Sequence, residues 1–157
     1  MVSEELKSQS DVAALLAANP EYLADAKFDR GELTVVVPAE HIVAVGQLLK
    51  SKQEYVRLST VTAVDFYPAE PRFEVVYHLH SLARNTRLRV KCKLPGAQPE
   101  IDSLTGVWRS ANWYERETFD LFGVVFRNHP DLTRIMMPDD WEGYPMRKDY
   151  PVTGPRY

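Results

Sequence analysis

Cysteine is nearly missing from this chain: Cys92 stands alone among 157 residues. One thiol excludes an intrachain disulfide, and it excludes an iron–sulfur cluster held by this chain alone, which ordinarily takes four thiolates. Glycine is sparse as well. The seven glycines are scattered, and neither G-x-G-x-x-G nor G-x-x-x-x-G-K-[ST] occurs, which removes the usual sequence signs of a dinucleotide or nucleotide site. There is no excess of positive charge. A formal charge of -3 lacks the basic footprint of a nucleic-acid binder. Long apolar runs are missing too: Leu33 to Val37 and Ile42 to Val45 fall far short of the roughly 20 residues that a membrane span needs. The N-terminal Ser3, Glu4 and Glu5 do not read as a secretory signal, so a cytoplasmic protein is expected.

What is present describes an ordinary folded chain, 45% hydrophobic and 26% charged, long enough for one core and hardly for two. Ser10 or Asp11 is positioned to cap a short helix carrying Val12, Leu15 and Leu16, which Pro20 ends. Asp29, Arg30 and Gly31 read as a turn, and Leu33 to Val37 as a β-branched strand. Pro38 opens a second helix with Ile42, Val45, Leu48 and Leu49 on one face. Strands follow at about Val56–Phe66, Arg72–His80 and through Leu88, Val90, Cys92 and Leu94. The last alternates with Arg87, Arg89, Lys91 and Lys93, as in an antiparallel meander with one buried face. Ser103 is placed to cap a short helix through Trp108. A stronger helix spans Asn112–Phe122, with Asn112 and Glu115 as a capping box and Gly123 in the left-handed position past its end. The fold class is therefore α+β: a single domain with a mixed or antiparallel sheet packed by helices.

After residue 127 the character changes. Pro130, Pro138, Pro145, Pro151 and Pro155 deny regular helix, and Trp141, Tyr144, Tyr150 and Tyr157 lie among them with Arg134, Arg147 and Arg156. Residues 1–127 read as the α/β domain. Residues 128–157 read as an extended, Pro- and aromatic-rich arm that lies either on the domain or on another protein.

Few residues invite chemistry. Glu115 and Glu117 point roughly 200° apart on a helix and cannot share an ion, whereas Glu117 and Asp120 lie on one face with His129 as a candidate third ligand. The plainer reading is an Arg116–Asp120 ion pair within the helix, in a structural or docking network. His78 and His80 share a strand face, a spacing that zinc uses only with further ligands. Cys92 is expected in the core. Arg84, Arg87, Arg89, Lys91 and Lys93 form a basic stripe, read as a solvated face or as a surface for an acidic partner; no aromatics interleave it for RNA. No catalytic, cofactor-binding or metal-binding residue is assigned.

From Glu115-Arg116-Glu117-Thr118-Phe119-Asp120-Leu121-Phe122-Gly123, through His129-Pro130-Asp131-Leu132, Arg134-Ile135, Pro138-Asp139 and Trp141, to Gly143-Tyr144-Pro145-Met146-Arg147-Lys148-Asp149-Tyr150-Pro151, the sequence resembles the C subunit of proton-pumping NADH:quinone oxidoreductase, respiratory complex I. The motifs cover about a quarter of the chain, and Thr133 stands where the family commonly has a basic residue. The resemblance implies a core member of the peripheral arm that carries no cofactor. It would dock on the quinone-site subunit, which is related to hydrogenase large subunits, and lie beside the iron–sulfur subunits. FMN, iron–sulfur clusters, NADH and quinone would be bound by those partners. Glu115, Arg116, Glu117, Asp120, His129, Arg134, Trp141, Arg147, Lys148 and Asp149 would serve docking. Membrane association would come only through the complex, on the cytoplasmic face of the plasma (inner) membrane. The same motifs fit the equivalent subunit of a membrane-bound hydrogenase or F420-linked complex. An alternative of another class is a free-standing metal-dependent enzyme using Glu117, Asp120 and His129.

Overall fold

The computed structural model describes residues 4–153; the arm's Pro155, Arg156 and Tyr157 lie outside them. The order of elements is α1 (Glu4–Lys7), α2 (Ser10–Ala18), β1 (Asp25–Asp29), β2 (Glu32–Val36), α3 (Ile42–Lys52), β3 (Arg57–Asp65), β4 (Phe73–Ser81), β5 (Thr86–Leu94), β6 (Glu100–Asp102), α4 (Ala111–Phe122) and β7 (Val125–Arg127). Five strands make one sheet in the order β1-β2-β5-β4-β3. All its neighbours are antiparallel except β2 and β5, which run parallel. The sheet is mixed because β2–α3–β3–β4–β5 is a crossover that returns the chain to the free edge of β2.

The period-two pattern predicts the buried face correctly. Phe73, Val75, Tyr77 and Leu79 of β4 are buried together with Leu88, Val90, Cys92 and Leu94 of β5. Helix α3 lies over this face, its Ile42, Val45 and Leu49 against Tyr77, Leu79 and Val90. Each such aliphatic side chain contributes about 1.5–3 kcal/mol on full burial. Gly46 of α3 sits where an added Cβ would lie 3.2 Å from the Trp108 ring, so the helix approaches that indole only because the position is small. Helix α4 packs on β3, where the Thr118 hydroxyl lies 3.3 Å from the Val61 carbonyl.

Several local expectations are corrected. Helix α2 starts with Gln9 as its N-cap, with no side-chain cap. Ser10 and Asp11 instead reach across the fold to Arg84, at 2.9 and 2.7 Å, and Asp11 also accepts the Tyr55 hydroxyl at 2.8 Å. Burial pushes the Tyr55 phenol up to about 12. A strand not foreseen, β1, pairs with β2 across a turn whose Arg30 and Gly31 both have positive φ, 52° and 82°. Such values suit a tight hairpin. The stretch from Ser103 to Trp108 is a set of turns, with the Trp108 and Val107 amides both donating to the Leu104 carbonyl. Beside it the short strands β6 and β7 form a parallel pair, too brief for periodicity to reveal.

Past Arg127 no described residue belongs to a helix or strand. The segment 128–153 nonetheless follows a definite course over α4 and the β3–β4 connection. Backbone bonds fix it there, such as the Met146 amide to the Leu121 carbonyl at 3.0 Å.

Candidate functional site

Helix α4 presents three acidic side chains to three different surroundings. Asp120 is fully buried, and its Oδ2 accepts the backbone amides of Ile135, Met136 and Met137 at 3.0, 2.7 and 2.9 Å. Its Oδ1 receives Nη1 of Arg134 at 2.6 Å. Burial alone would raise its pKa, but the Met137 amide, Arg134 and the other two amides outweigh it and hold the carboxyl below the usual range. Arg134 also donates to the Asp120, Trp141 and Gly143 carbonyls, each at 3.1 Å. One carboxylate and one guanidinium thus close the arm into a loop against the helix.

A second latch lies at the end of the sheet. The Asp65 side chain is 1% exposed and accepts Nε and Nη2 of Arg72 at 2.9 and 2.8 Å, together with the amides of Tyr67 and Lys148, both at 2.9 Å. The hydrogen-bonded Arg72 holds this carboxyl well below the ordinary range. The same guanidinium grips Asp149 at 2.7 and 3.0 Å. It lies over the rings of Tyr67 and Phe73 at 4.8 and 4.9 Å. Arg147 stacks on Phe73 and Tyr144 at 5.0 and 4.6 Å, and its Nε donates to the Phe122 carbonyl at 2.6 Å, a helix-end acceptor that would otherwise lack a partner.

Gly123 lies between the two latches. Its φ of 73° confirms the left-handed position, and an added Cβ would sit 2.5 Å from Arg147 Nη2 and 2.6 Å from the Tyr144 ring. Gly123→Ala should therefore cost more than the roughly 1 kcal/mol of left-handed strain. It should also loosen the arm, seen as faster tryptic cleavage after Arg147 with the sheet's circular dichroism unchanged.

Glu115 faces the other way and does not form a capping box. Helix α4 begins at Ala111, with Ser110 as an N-cap that uses no side chain, so Asn112 and Glu115 are two places out of frame. The Glu115 carboxyl instead receives the Ser103 hydroxyl at 2.6 Å and the Leu104 amide at 2.7 Å, ordering the turns before the helix. His129 lies 3.9 Å from it, with Nε2 at 3.2 Å from the Asn112 carbonyl and Nδ1 accepting the Asp131 amide. The Arg116–Asp120 pair is absent as well. Arg116 donates to the Thr133 carbonyl and hydroxyl and to the Arg134 carbonyl, because Asp120 is committed to Arg134.

The trio Glu117, Asp120 and His129 is not brought together. Glu117 lies half-buried beside Thr60 and Thr62 of β3, Asp120 is enclosed by the arm, and His129 neighbours Glu115. Among the described residues no group of three His, Cys, Asp or Glu could hold a metal ion. Of the residues singled out in the sequence, Arg116, Asp120, Arg134, Arg147 and Asp149 bind arm to domain through their side chains. His129 does so through its ring on the Asn112 carbonyl and Lys148 through its backbone amide on Asp65, whereas the Trp141 carbonyl bonds to Arg134 within the arm. Asp65, Arg72, Phe73, Tyr144, Ser103 and Leu104 were not anticipated, since the sequence separation of 83 residues between Asp65 and Lys148 leaves no local signal.

Residues 35–156 match the family described as respiratory-chain NADH dehydrogenase, 30 Kd subunit. The chain belongs to this family. It is 54% identical over 132 residues to the C subunit of NADH-quinone oxidoreductase from Geobacter metallireducens, covering 83% of this chain and 82% of the relative. With the corresponding C subunit from Roseiflexus castenholzii it shares 46% over 149 residues, 94% and 86% of the two chains. Among solved structures, Nqo5 of a trypsin-resistant fragment (1-134) matches with a TM-score of 0.67 and 32% identity, over 76% of this chain and 97% of that one. A chain of the membrane-bound sulfane sulfur reductase, an archaeal respiratory membrane complex, matches with a TM-score of 0.80 and 30% identity, over 93% and 86%.

In this member of the 30 Kd subunit family, Glu115 is a buried acid whose pKa burial pushes up to about 7, against the opposing bonds from Ser103 and Leu104. A folded-state value above the unfolded one means stability present below the ordinary glutamate pKa and lost as pH rises through about 7, a loss on the order of 3 kcal/mol. Glu115→Gln removes the charge and keeps the bond from the Leu104 amide, while the Ser103 hydroxyl turns to accept from the new side-chain amide. Its urea midpoint should equal the parent's below about pH 4, short of the ordinary glutamate pKa, and exceed it at pH 8.

Proposed function

We propose that this chain occupies the C-subunit position in the peripheral arm of NADH:quinone oxidoreductase. It contributes no redox group there, and it docks on and stabilises the quinone-site subunit while electrons pass from NADH to quinone. The observation that carries this reading is the near-50% identity to the C subunits of NADH-quinone oxidoreductases across most of both chains. FMN, iron–sulfur clusters, NADH and quinone belong to the partner subunits in this reading, the nearest being the quinone-site and iron–sulfur subunits. The chain is a peripheral subunit on the cytoplasmic face of the membrane, in keeping with the finding that among the described residues no helix is long and apolar enough to cross one.

The arm supports a docking role. Its backbone is preorganised by the two latches, which lowers the ordering cost of binding, while Met136 and Met146 remain 61% and 55% exposed. Trp113 of α4 is also exposed, with Arg116 stacked on it at 5.1 Å. Aromatic, Met and Arg side chains are the types that interface cores favour.

The 0.80 TM-score to a chain of the sulfane sulfur reductase favours a second reading, the equivalent place in another membrane-bound respiratory complex such as a hydrogenase or F420-linked assembly. Tagging the chain in its own host and identifying what co-purifies from mild detergent decides between them. Flavin, iron–sulfur and quinone-site subunits support the first reading and a nickel–iron subunit the second. Recovery of the chain alone refutes both.

A further inference from the structure

The outer face of the large sheet, opposite the helices, carries the basic stripe, and the structure divides that stripe in two. Arg84, in the turn between β4 and β5, reaches Asp11 of α2; on the sheet face itself Arg89 pairs with Glu32 and Lys91 with Glu74. Among the described residues Arg87 has no such partner. The strand register places it directly across from His80 of β4, which in turn faces Arg57 of β3. Three cationic or protonatable side chains thus stand in one row across three strands. Arg57 and Arg87 flank His80 from the two neighbouring strands, and among the described residues no acidic side chain pairs with this row. The neighbouring row brings Thr60, His78 and Arg89 together. A β-bulge between Leu58 and Thr60 inserts Ser59 into β3, adding a second hydroxyl at the same place.

These side chains line an open cleft of about 560 Å³, against roughly 30 Å³ for a water molecule. Its lining is Arg57, Ser59, Thr60, His78, Leu79, His80 and Arg87, together with Glu32, which Arg89 already holds. Burial foremost, and then Arg89 and Lys91 against the opposing Glu32, lower the pKa of His78. In a chain of formal charge -3, this concentration of unpaired donors runs against the overall balance.

We propose that this cleft binds an extended acidic segment, bearing Asp or Glu side chains, of a partner chain. Two donor-rich rows two residues apart along the strands lie roughly 7 Å from each other, the spacing between alternate side chains of an extended peptide. A carboxylate set between Arg57 and Arg87 gives both guanidiniums a counter-charge, and the hydroxyls and imidazoles complete its hydrogen bonds. This site lies on the sheet and involves none of the arm residues, so it stands apart from the family role assigned above.

The test is calorimetric titration of the full chain with an octaglutamate peptide at low salt, and separately with inorganic phosphate. The peptide is expected to bind, more weakly at higher ionic strength. The double variant Arg57→Ala/Arg87→Ala should lose at least about tenfold in affinity. Ser59→Asp, which seats a carboxylate among these donors, should lose as much, and it serves if the double variant does not fold. Lys93→Ala, on the same face beyond the cleft, should change affinity by less than about twofold. Absence of peptide binding overturns the proposal. So does an equal loss on Lys93→Ala, which would mean general charge attraction, or saturation by phosphate at the same residues without peptide binding, which would mean a small-anion site.

Discussion

Asp120→Asn is expected to cost about 3 kcal/mol and to free the arm from α4. The amide oxygen can still accept the backbone donors of residues 135–137, but the group turned toward Arg134 becomes a donor. Arg134, 14% exposed at its side chain, is left with carbonyl partners and no counter-charge. Breaking one side of a buried pair typically costs about 3–5 kcal/mol, and the surviving carbonyl bonds place this case at the low end. A lowered urea midpoint should accompany rapid proteolysis between Thr133 and Tyr150, while far-UV circular dichroism stays unchanged. An unaltered midpoint would mean that charge has no part in the latch. The depressed pKa sets the pH direction: this contribution is present above the ordinary aspartate value and is lost as pH falls through the lower folded-state value.

Arg72→Ala is expected to have an effect of similar size at the second latch. It removes the partner of Asp65, whose carboxylate then keeps only the Tyr67 and Lys148 amides, and it strips the cation from the faces of Tyr67 and Phe73. A loss of about 3 kcal/mol follows from isolating a buried carboxylate. Because Arg72 is the main cause of the low Asp65 pKa, the variant should also unfold at a higher pH on acid titration than the parent. Arg72→Lys should recover less than half of the loss, since an ammonium cannot fork between two carboxylates as a guanidinium does. Full recovery by lysine would reduce the latch to simple charge attraction.

Both latches join segments that the sequence presents as unrelated. Alternation in β4 and β5 identified the buried face, because a strand's two faces are separated by a period of two and the core takes one of them. Helical spacing of apolar residues likewise found α3, whereas α4 was read from its expected caps. Gly123 was legible too, since a helix end that turns left-handed strongly prefers glycine. The motif from Glu115 to Pro151 was distinctive enough to point to the family. Periodicity did not reveal β1, β6 and β7, of which the last two are only three residues long. It also misread Ser103–Trp108 and the start of α4, where capping residues were assigned roles that tertiary bonds took over.

The chain's composition and local patterns by themselves determined an α+β fold, the inward face of its meander, the end of α4 at Gly123 and the irregular character of residues 128–153. Only the tertiary structure decided that β2 joins β5 in parallel, that Asp120 serves the arm and Glu115 the turns before α4, and that Arg57 and Arg87 share a row with His80. The physical reason is range. Propensity and periodicity act over a few residues, whereas a buried charge takes whichever counter-charge the folded backbone delivers, whatever its distance along the chain.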